Sequence, residues 1–320
     1  IDWLNFTGRN DKLKALIQFG YTPKQELEYR FPYLNKRQSL GVTTLFLHSI
    51  NKELNYGTFN NREQLVRLGE QKIQERWEGQ IRTFYRPTIN IKYELALRYQ
   101  NLEIDQEVVT DYNPLYFSNG DSTHSVFSLR LVYEYDDRDR KIFPATGIKF
   151  SAEAEKIGLT NSADENTLIT ALSVEWNATT GRRFQHRVST TAKYSLSRSR
   201  PSFVYYKGLG SGVKYVSGYE LYVIDGLDYV LGKYQLAYKL LEKQSNLGSF
   251  MPVDQFRQVT YAFYISLLAE VGYVNDPYSG GVNPLTNQWL YGGGPAFTLL
   301  MYNNFLFQFS YCTNHLGEWG

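Results

Sequence analysis

The stretch NIKYELALRYQ, Asn90–Gln100, decides how this chain folds. Ile91, Tyr93, Leu95, Leu97 and Tyr99 take every second position, and Lys92, Glu94 and Arg98 fall between them. Successive side chains of an extended strand point to opposite faces, so one face here is apolar and the other charged. In SVFSLRLVYEY, Phe127, Leu129, Leu131, Tyr133 and Tyr135 oppose Ser128, Arg130 and Glu134. In TLITALSVEW, Leu168, Leu172, Val174 and Trp176 oppose Ser173 and Glu175. Further on, Phe263, Ile265, Leu267, Ala269, Val271 and Tyr273 oppose Ser266, Glu270 and Gly272, and Phe305, Phe307, Phe309 and Tyr311 oppose Gln308, Ser310 and Cys312.

Length separates two folds that share this alternation. Strands of a soluble sandwich run to about five or six residues. The segments here reach about ten or more and often end in Tyr or Trp, which suits a strand tilted across a bilayer between aromatic girdles. Composition agrees. The 320 residues include 27 Tyr and 19 Phe, and aromatics make up 16%. Mean hydropathy is −0.41, and no apolar run reaches the ~18 residues of a membrane helix. The net charge of +2 supplies no field for nucleic acid. A single cysteine, Cys312, rules out an internal disulfide. Ile1 opens the chain with no Met and no signal-peptide pattern, which reads as a processed or cropped start.

The alternation predicts an all-β, transmembrane, antiparallel up-and-down barrel. Its strands fall at 12–21, 24–33, 39–50, 73–86, 88–104, 124–136, 147–157, 166–178, 185–198, 228–241, 257–274, 288–301 and 304–313. By parity, 51–72, 105–123, 158–165, 199–227 and 275–287 lie on one side. The other side has mostly short turns, such as Arg86–Pro87, Thr179–Phe184 and Tyr302–Asn304; 242–256 and the turn before Gly147 are the longer exceptions. Short periplasmic turns and long outer loops are the asymmetry of bacterial outer-membrane barrels. With no internal repeat or linker, residues 1–320 read as one barrel domain.

Three stretches resemble the BamA/TamA superfamily, the outer-membrane barrels that insert or translocate other proteins. DDRDRKIFPATGIKFSAEAEKIG, Asp136–Gly158, is similar to its Asp-x-Arg…Pro-x-x-Gly periplasmic turn and supplies Asp136, Arg138, Pro144 and Gly147. YVSGYELYVIDG, Tyr215–Gly226, stands where the family's long loop folds back into the lumen. AEVGYVNDP, Ala269–Pro277, resembles a wall strand with an inward acid, Glu270, two residues before Gly272. GRNDKL, FPYLNKRQ and NHLGEWG are similar to turns of Bacteroidota-type members.

The resemblance implies that loop 199–227 enters the lumen, with Val216, Ser217, Gly218, Tyr219 and Glu220 at its tip and Glu270, Gly272 and Thr298 on the facing wall. Relatives carry Arg where this chain has Ser217, and an acid where it has Thr298. A serine cannot make the forked ion pair of a guanidinium, so Glu270 must find another partner, with Lys207 and Lys214 as candidates, stay hydrated or take up a proton. The resemblance also implies a sixteen-stranded family barrel whose first strand and closing strand are absent here, with IDWLNF as the tail of the second, and upstream periplasmic repeats expected but absent from this chain.

The implied function is protein assembly or translocation in the outer membrane of a Gram-negative bacterium, through membrane thinning and a labile strand seam. The implied partners are the bilayer with its lipopolysaccharide, unfolded outer-membrane clients, and accessory lipoproteins or periplasmic subunits; nucleic acid is not among them. Alternatives are a passive channel or structural barrel, with Arg98, Arg130, Glu134 and Glu175 as constricting charges, or the barrel domain of a patatin-like lipase fusion. No enzyme is expected. His48, His124, His186 and His315 show no metal-ligand spacing, no Gly-x-Ser-x-Gly elbow occurs, and Gly292–Gly294 sits in a strand with no helix after it. No metal and no cofactor are therefore expected.

Overall fold

The computed structural model describes residues 1–160, 165–210, 214–246, 248, 253 and 257–320. The connections 158–165, 199–227 and 242–256 lie partly outside these residues.

The strands are β1 (Asp2–Leu4), β2 (Lys12–Gln18), β3 (Lys24–Phe31), β4 (Leu40–Asn51), β5 (Leu54–Phe59), β6 (Arg62–Val66), β7 (Gln74–Tyr85), β8 (Ile91–Ile104) and β9 (Thr123–Asp136). They continue with β10 (Gly147–Ile157), β11 (Thr167–Thr180), β12 (Phe184–Ser195), β13 (Asp228–Asn246), β14 (Gln258–Asn275), β15 (Trp289–Met301), β16 (Phe305–Ser310) and β17 (Thr313–Asn314). All but β5 and β6 join one 15-stranded sheet, paired in the order β1-β2-β3-β4-β7-β8-β9-β10-β11-β12-β13-β14-β15-β16, with β17 on β15. Every neighbouring pair is antiparallel, as in an up-and-down barrel wall.

All thirteen expected strands form. IDWLNF supplies β1, which pairs with β2 from Asp2↔Lys14 to Leu4↔Lys12. Two differences stand out. The connection 51–72 holds a hairpin of its own, β5–β6, turned by Asn60 and Asn61 at φ 49° and 56°. Strand β13 runs on to Asn246 past a register shift between Lys239 and Leu241. Polar pairs hold that extension, Lys239 with Glu242 and Gln244 with Gln258. Apolar alternation has ended there, so periodicity alone could not extend the strand.

Long-range contacts show the sheet curling. Phe143, in the β9–β10 turn, lies 4.8 Å from the Tyr264 ring of β14. Five inter-strand spacings separate β9 from β14, which is about 24 Å across a flat sheet. Asn61, on the β5–β6 hairpin, donates its backbone N–H to Asn283 at 2.9 Å and accepts from Leu285 at 2.8 Å. Beneath these long loops, Leu54, Val66, Ile73, Leu102, Val108 and Phe117 form a buried cluster with Phe203 and Val204 packed on it.

The outward face is apolar and exposed, with Leu97, Leu131, Leu172, Ile265 and Phe307 standing on it. Along the short-turn end, rings from successive strands touch: Tyr85 with Tyr93, Tyr93 with Tyr133, and Tyr133 with Phe150. This is an aromatic girdle built by cross-strand neighbours. Among the described residues no helix is long and apolar enough to cross a membrane; the crossing is made by strands. The inward face of β8–β11 pairs its charges. Arg98 meets Glu155 at 2.7 Å, Arg130 meets Glu153 at 2.6 Å, Lys149 meets Glu134 at 3.3 Å, and Arg138 meets Glu175 at 3.1 Å.

Candidate functional site

The connection between β12 and β13 is the longest on the loop side. Its stem is tied by two bonds, Leu209 N–H to Ile224 C=O and Ile224 N–H to Leu209 C=O, both 2.8 Å. Its tip, Val216–Tyr219, is buried against β14, β15 and the C-terminal hairpin. Val216 is covered by Gly272 and Gly292, whose missing side chains leave it room. A Cβ on Gly292 would collide with the Ser217 carbonyl oxygen. The glycine run is thus a seat for the tip. Gly218 turns the tip at φ +85°, a conformation other residues adopt at a cost. Its carbonyl accepts from Asn314 Nδ2 at 2.6 Å, and its N–H donates to Glu220 at 3.0 Å.

Glu270 has two partners. The backbone N–H of Ser217 donates to Oε2 at 2.8 Å, and Lys233 Nζ lies 3.0 Å from the same oxygen. Lys233 and Glu270 are opposite in the β13–β14 register, so their side chains share a face. The loop lysines go elsewhere: Lys214 donates to the Tyr229 hydroxyl at 2.7 Å, and Lys207 lies 3.6 Å from Asp225. Tyr219 is fully buried with its hydroxyl on His315 Nδ1, and burial pushes that phenol up to about 12. Tyr222 donates to Glu318 at 2.8 Å and 3.0 Å. Hydrogen bonds from Asn314 and then Tyr222 lower the Glu318 carboxyl from its ordinary value. Burial raises the Asp225 carboxyl, against the opposing pull of Lys207 and the bond from Thr58 at 2.5 Å.

Thr298 does not meet the loop. It pairs with Tyr264, six residues along β14 from Glu270 and so about 20 Å away. It lies fully buried, and its hydroxyl has no hydrogen-bond partner. Its neighbourhood belongs to the other motif. Phe143 packs with Ala237, Ala262, Tyr264 and Leu300, under the Arg187 guanidinium. The turn carrying it is braced by Arg138, which forks onto Asp136 at 2.8 Å twice and reaches Glu175. Asp139 accepts from Ala145 and Thr146, just past Pro144, and Asp137 accepts from Ile148. Gly147 sits at φ +106°, where an added Cβ would lie 2.6 Å from Arg138 Cα. Phe143 itself holds φ +50°, rare for a bulky residue and sustained here by burial.

The structure therefore gathers Val216, Ser217, Gly218, Glu270 and Gly272 at one place. Asp136, Arg138 and Gly147 gather at another, with Thr298 near the second. Sequence reading missed Lys233, Asn314, His315, Glu318 and Phe143. Lys233 alternates correctly but needs the strand register to meet Glu270; the other four depend on chain reversals that no local pattern specifies.

No curated protein sequence matches the chain. In structure it is similar to BamA from Haemophilus ducreyi lacking POTRA domains 1-3, with TM-score 0.71 and 13% identity over 98% of this chain and 63% of that one. It is also similar to CdiB from Escherichia coli, with TM-score 0.59 and 12% identity over 98% and 54%, and to CdiB from Acinetobacter baumannii, with 0.53 and 11% over 99% and 54%. The chain spans less than two thirds of each of these proteins. An Omp85 superfamily domain model matches residues 5–232. With its girdled strands and paired inner charges, the chain is an outer-membrane β-barrel and belongs to the Omp85 superfamily.

Proposed function

We propose that this barrel helps insert or translocate client proteins, and that it does so without bond chemistry. The uneven height of its wall carries the reading. Strands β2 and β3 have 7 and 8 residues, while β13 and β14 have 19 and 18. A membrane strand needs about 9–11 residues. The β2–β3 side is shorter than that, so lipid beside it must thin or tilt to match. A thinned bilayer lowers the barrier to a new strand, and an unpaired strand edge offers main-chain hydrogen bonds to template it. The β13–β14 side, with the loop tip docked on it, is the rigid counterpart. The partners are unfolded outer-membrane proteins, the lipid and lipopolysaccharide around the wall, and accessory lipoproteins or periplasmic subunits.

The inward charges support this over a passive channel. Arg98, Arg130, Glu134 and Glu175 each have a counter-ion within 3.3 Å, so these four candidate constricting charges are neutralised where they stand. Depletion of the protein tests the reading. Outer-membrane protein content is expected to fall while small-solute uptake stays constant. Constant protein content with altered uptake, or rapid solute flux through the barrel in liposomes, would overturn it.

A further inference from the structure

At the short-turn end, the inner face of β3, β4, β7 and β8 forms a pocket of about 480 Å³ whose chemistry the loop and turn motifs do not use. Five cations line it: Arg30, Arg37, Arg82, Arg86 and Lys92. The single carboxylate is Glu94, which Lys92 reaches at 2.7 Å and Arg82 only at 4.0 Å. Antiparallel register puts Arg30 opposite Thr43 and Thr43 opposite Arg82, so these groups share one face. Arg37 and Arg86 come from the adjoining turns. Among the described residues, Arg30, Arg37 and Arg86 have no carboxylate partner, and the buried Nε of Arg82 has no hydrogen-bond acceptor. A buried donor without an acceptor is costly, and an incoming oxyanion would satisfy it.

Size and position narrow the ligand. A water takes about 30 Å³ of liquid volume, so the pocket is far larger than one small anion requires. Its strand residues stand on the face opposite lipid-facing Leu95 and Leu131, so the inner part of the pocket turns away from the bilayer. We propose that this pocket binds an acidic peptide segment entering the short-turn mouth of the barrel, with Arg37 and Arg86 capturing carboxylates at the rim and Arg30, Arg82 and Lys92 holding them inside. Forked guanidiniums suit carboxylates. Identifying that peptide as part of a client rests on the assembly function proposed above; the binding itself does not.

The test uses the full-length protein in uncharged detergent and fluorescein-labelled hexaglutamate, read by anisotropy. The paired variant Arg37→Gln/Arg86→Gln is expected to weaken binding by about tenfold or more, the scale of charge-assisted hydrogen bonds. Both residues are exposed on turns, and heat-modifiable gel mobility checks that the barrel is folded. Arg182→Gln/Arg183→Gln, which removes equal charge from the β11–β12 turn, is expected to change binding by less than about twofold. Equal loss in both pairs, equally tight hexaglutamine binding, or full displacement by inorganic phosphate at matched ionic strength would overturn the proposal. If depletion refutes assembly while these results hold, the mouth remains an acidic-peptide site; if they fail while depletion holds, only the mouth assignment falls.

Discussion

Two segments reach into the barrel, and they are held by opposite means. The loop tip at Val216–Tyr219 is seated by shape and backbone: glycines make space, a main-chain N–H meets Glu270, and Asn314 meets a main-chain carbonyl. The turn at 137–146 is seated by charge, with Arg138 forked between Asp136 and Glu175 and Phe143 packed at its end. A forked guanidinium resists rearrangement because it satisfies several acceptors in one plane. A glycine seat excludes wrong shapes but binds with less directional force. The loop side is thus the more releasable closure and the turn side the more permanent one.

Gly292→Val gives the largest expected effect. Its side chain occupies the Ser217 carbonyl position and unseats the tip at a cost of about 3 kcal/mol. Cys312, buried and the single thiol, then becomes reactive to maleimide; an unchanged labelling rate would dissolve the contrast. Arg138→Ala is expected to destabilise the barrel nearly as much, by roughly 2–3 kcal/mol, because it removes a buried guanidinium that forks onto the half-buried carboxylates of Asp136 and Glu175. Its readout is the thermal midpoint of barrel unfolding, and Arg138→Lys should recover only part, since an ammonium cannot fork. Lys233→Met should loosen the tip by about 2 kcal/mol, with Ser217→Arg in the same chain restoring it. A double-mutant cycle on Cys312 labelling measures this, and additive effects would mean that the two positions do not share Glu270.

The smallest effect is pH-dependent. Burial raises the Asp225 carboxyl above its unfolded value, so its contribution is fully present below the unfolded pKa and is lost as pH rises through the folded one. Acidification from neutral pH should tighten the loop, and Asp225→Asn should abolish that dependence. Labelling of Cys312 across pH reads both.

Much of the wall was legible in the residues. Period-two alternation placed Leu95, Leu131 and Leu267 outward and Glu94, Arg130 and Glu270 inward, because a strand has only two faces. Turn chemistry marked Gly147, where the backbone needs φ > 0. The partner of Glu270 was not legible. Lys207 and Lys214 are nearer to the loop tip in sequence, yet Lys233 meets Glu270 because antiparallel register aligns them. Thr298 was expected on the wall facing the loop tip, whereas strand register carries it to Tyr264.

The sequence by itself determined the thirteen main wall strands, their order, their facing and the asymmetry of connections, since these follow from local periodicity and from where it stops; the β5–β6 hairpin and the short terminal strands do not. Only the tertiary structure decided which charges neutralise one another, how the glycine seat fits the tip, and that five cations at the short-turn mouth share one carboxylate. Those depend on curling the sheet, which brings together side chains that no local pattern relates.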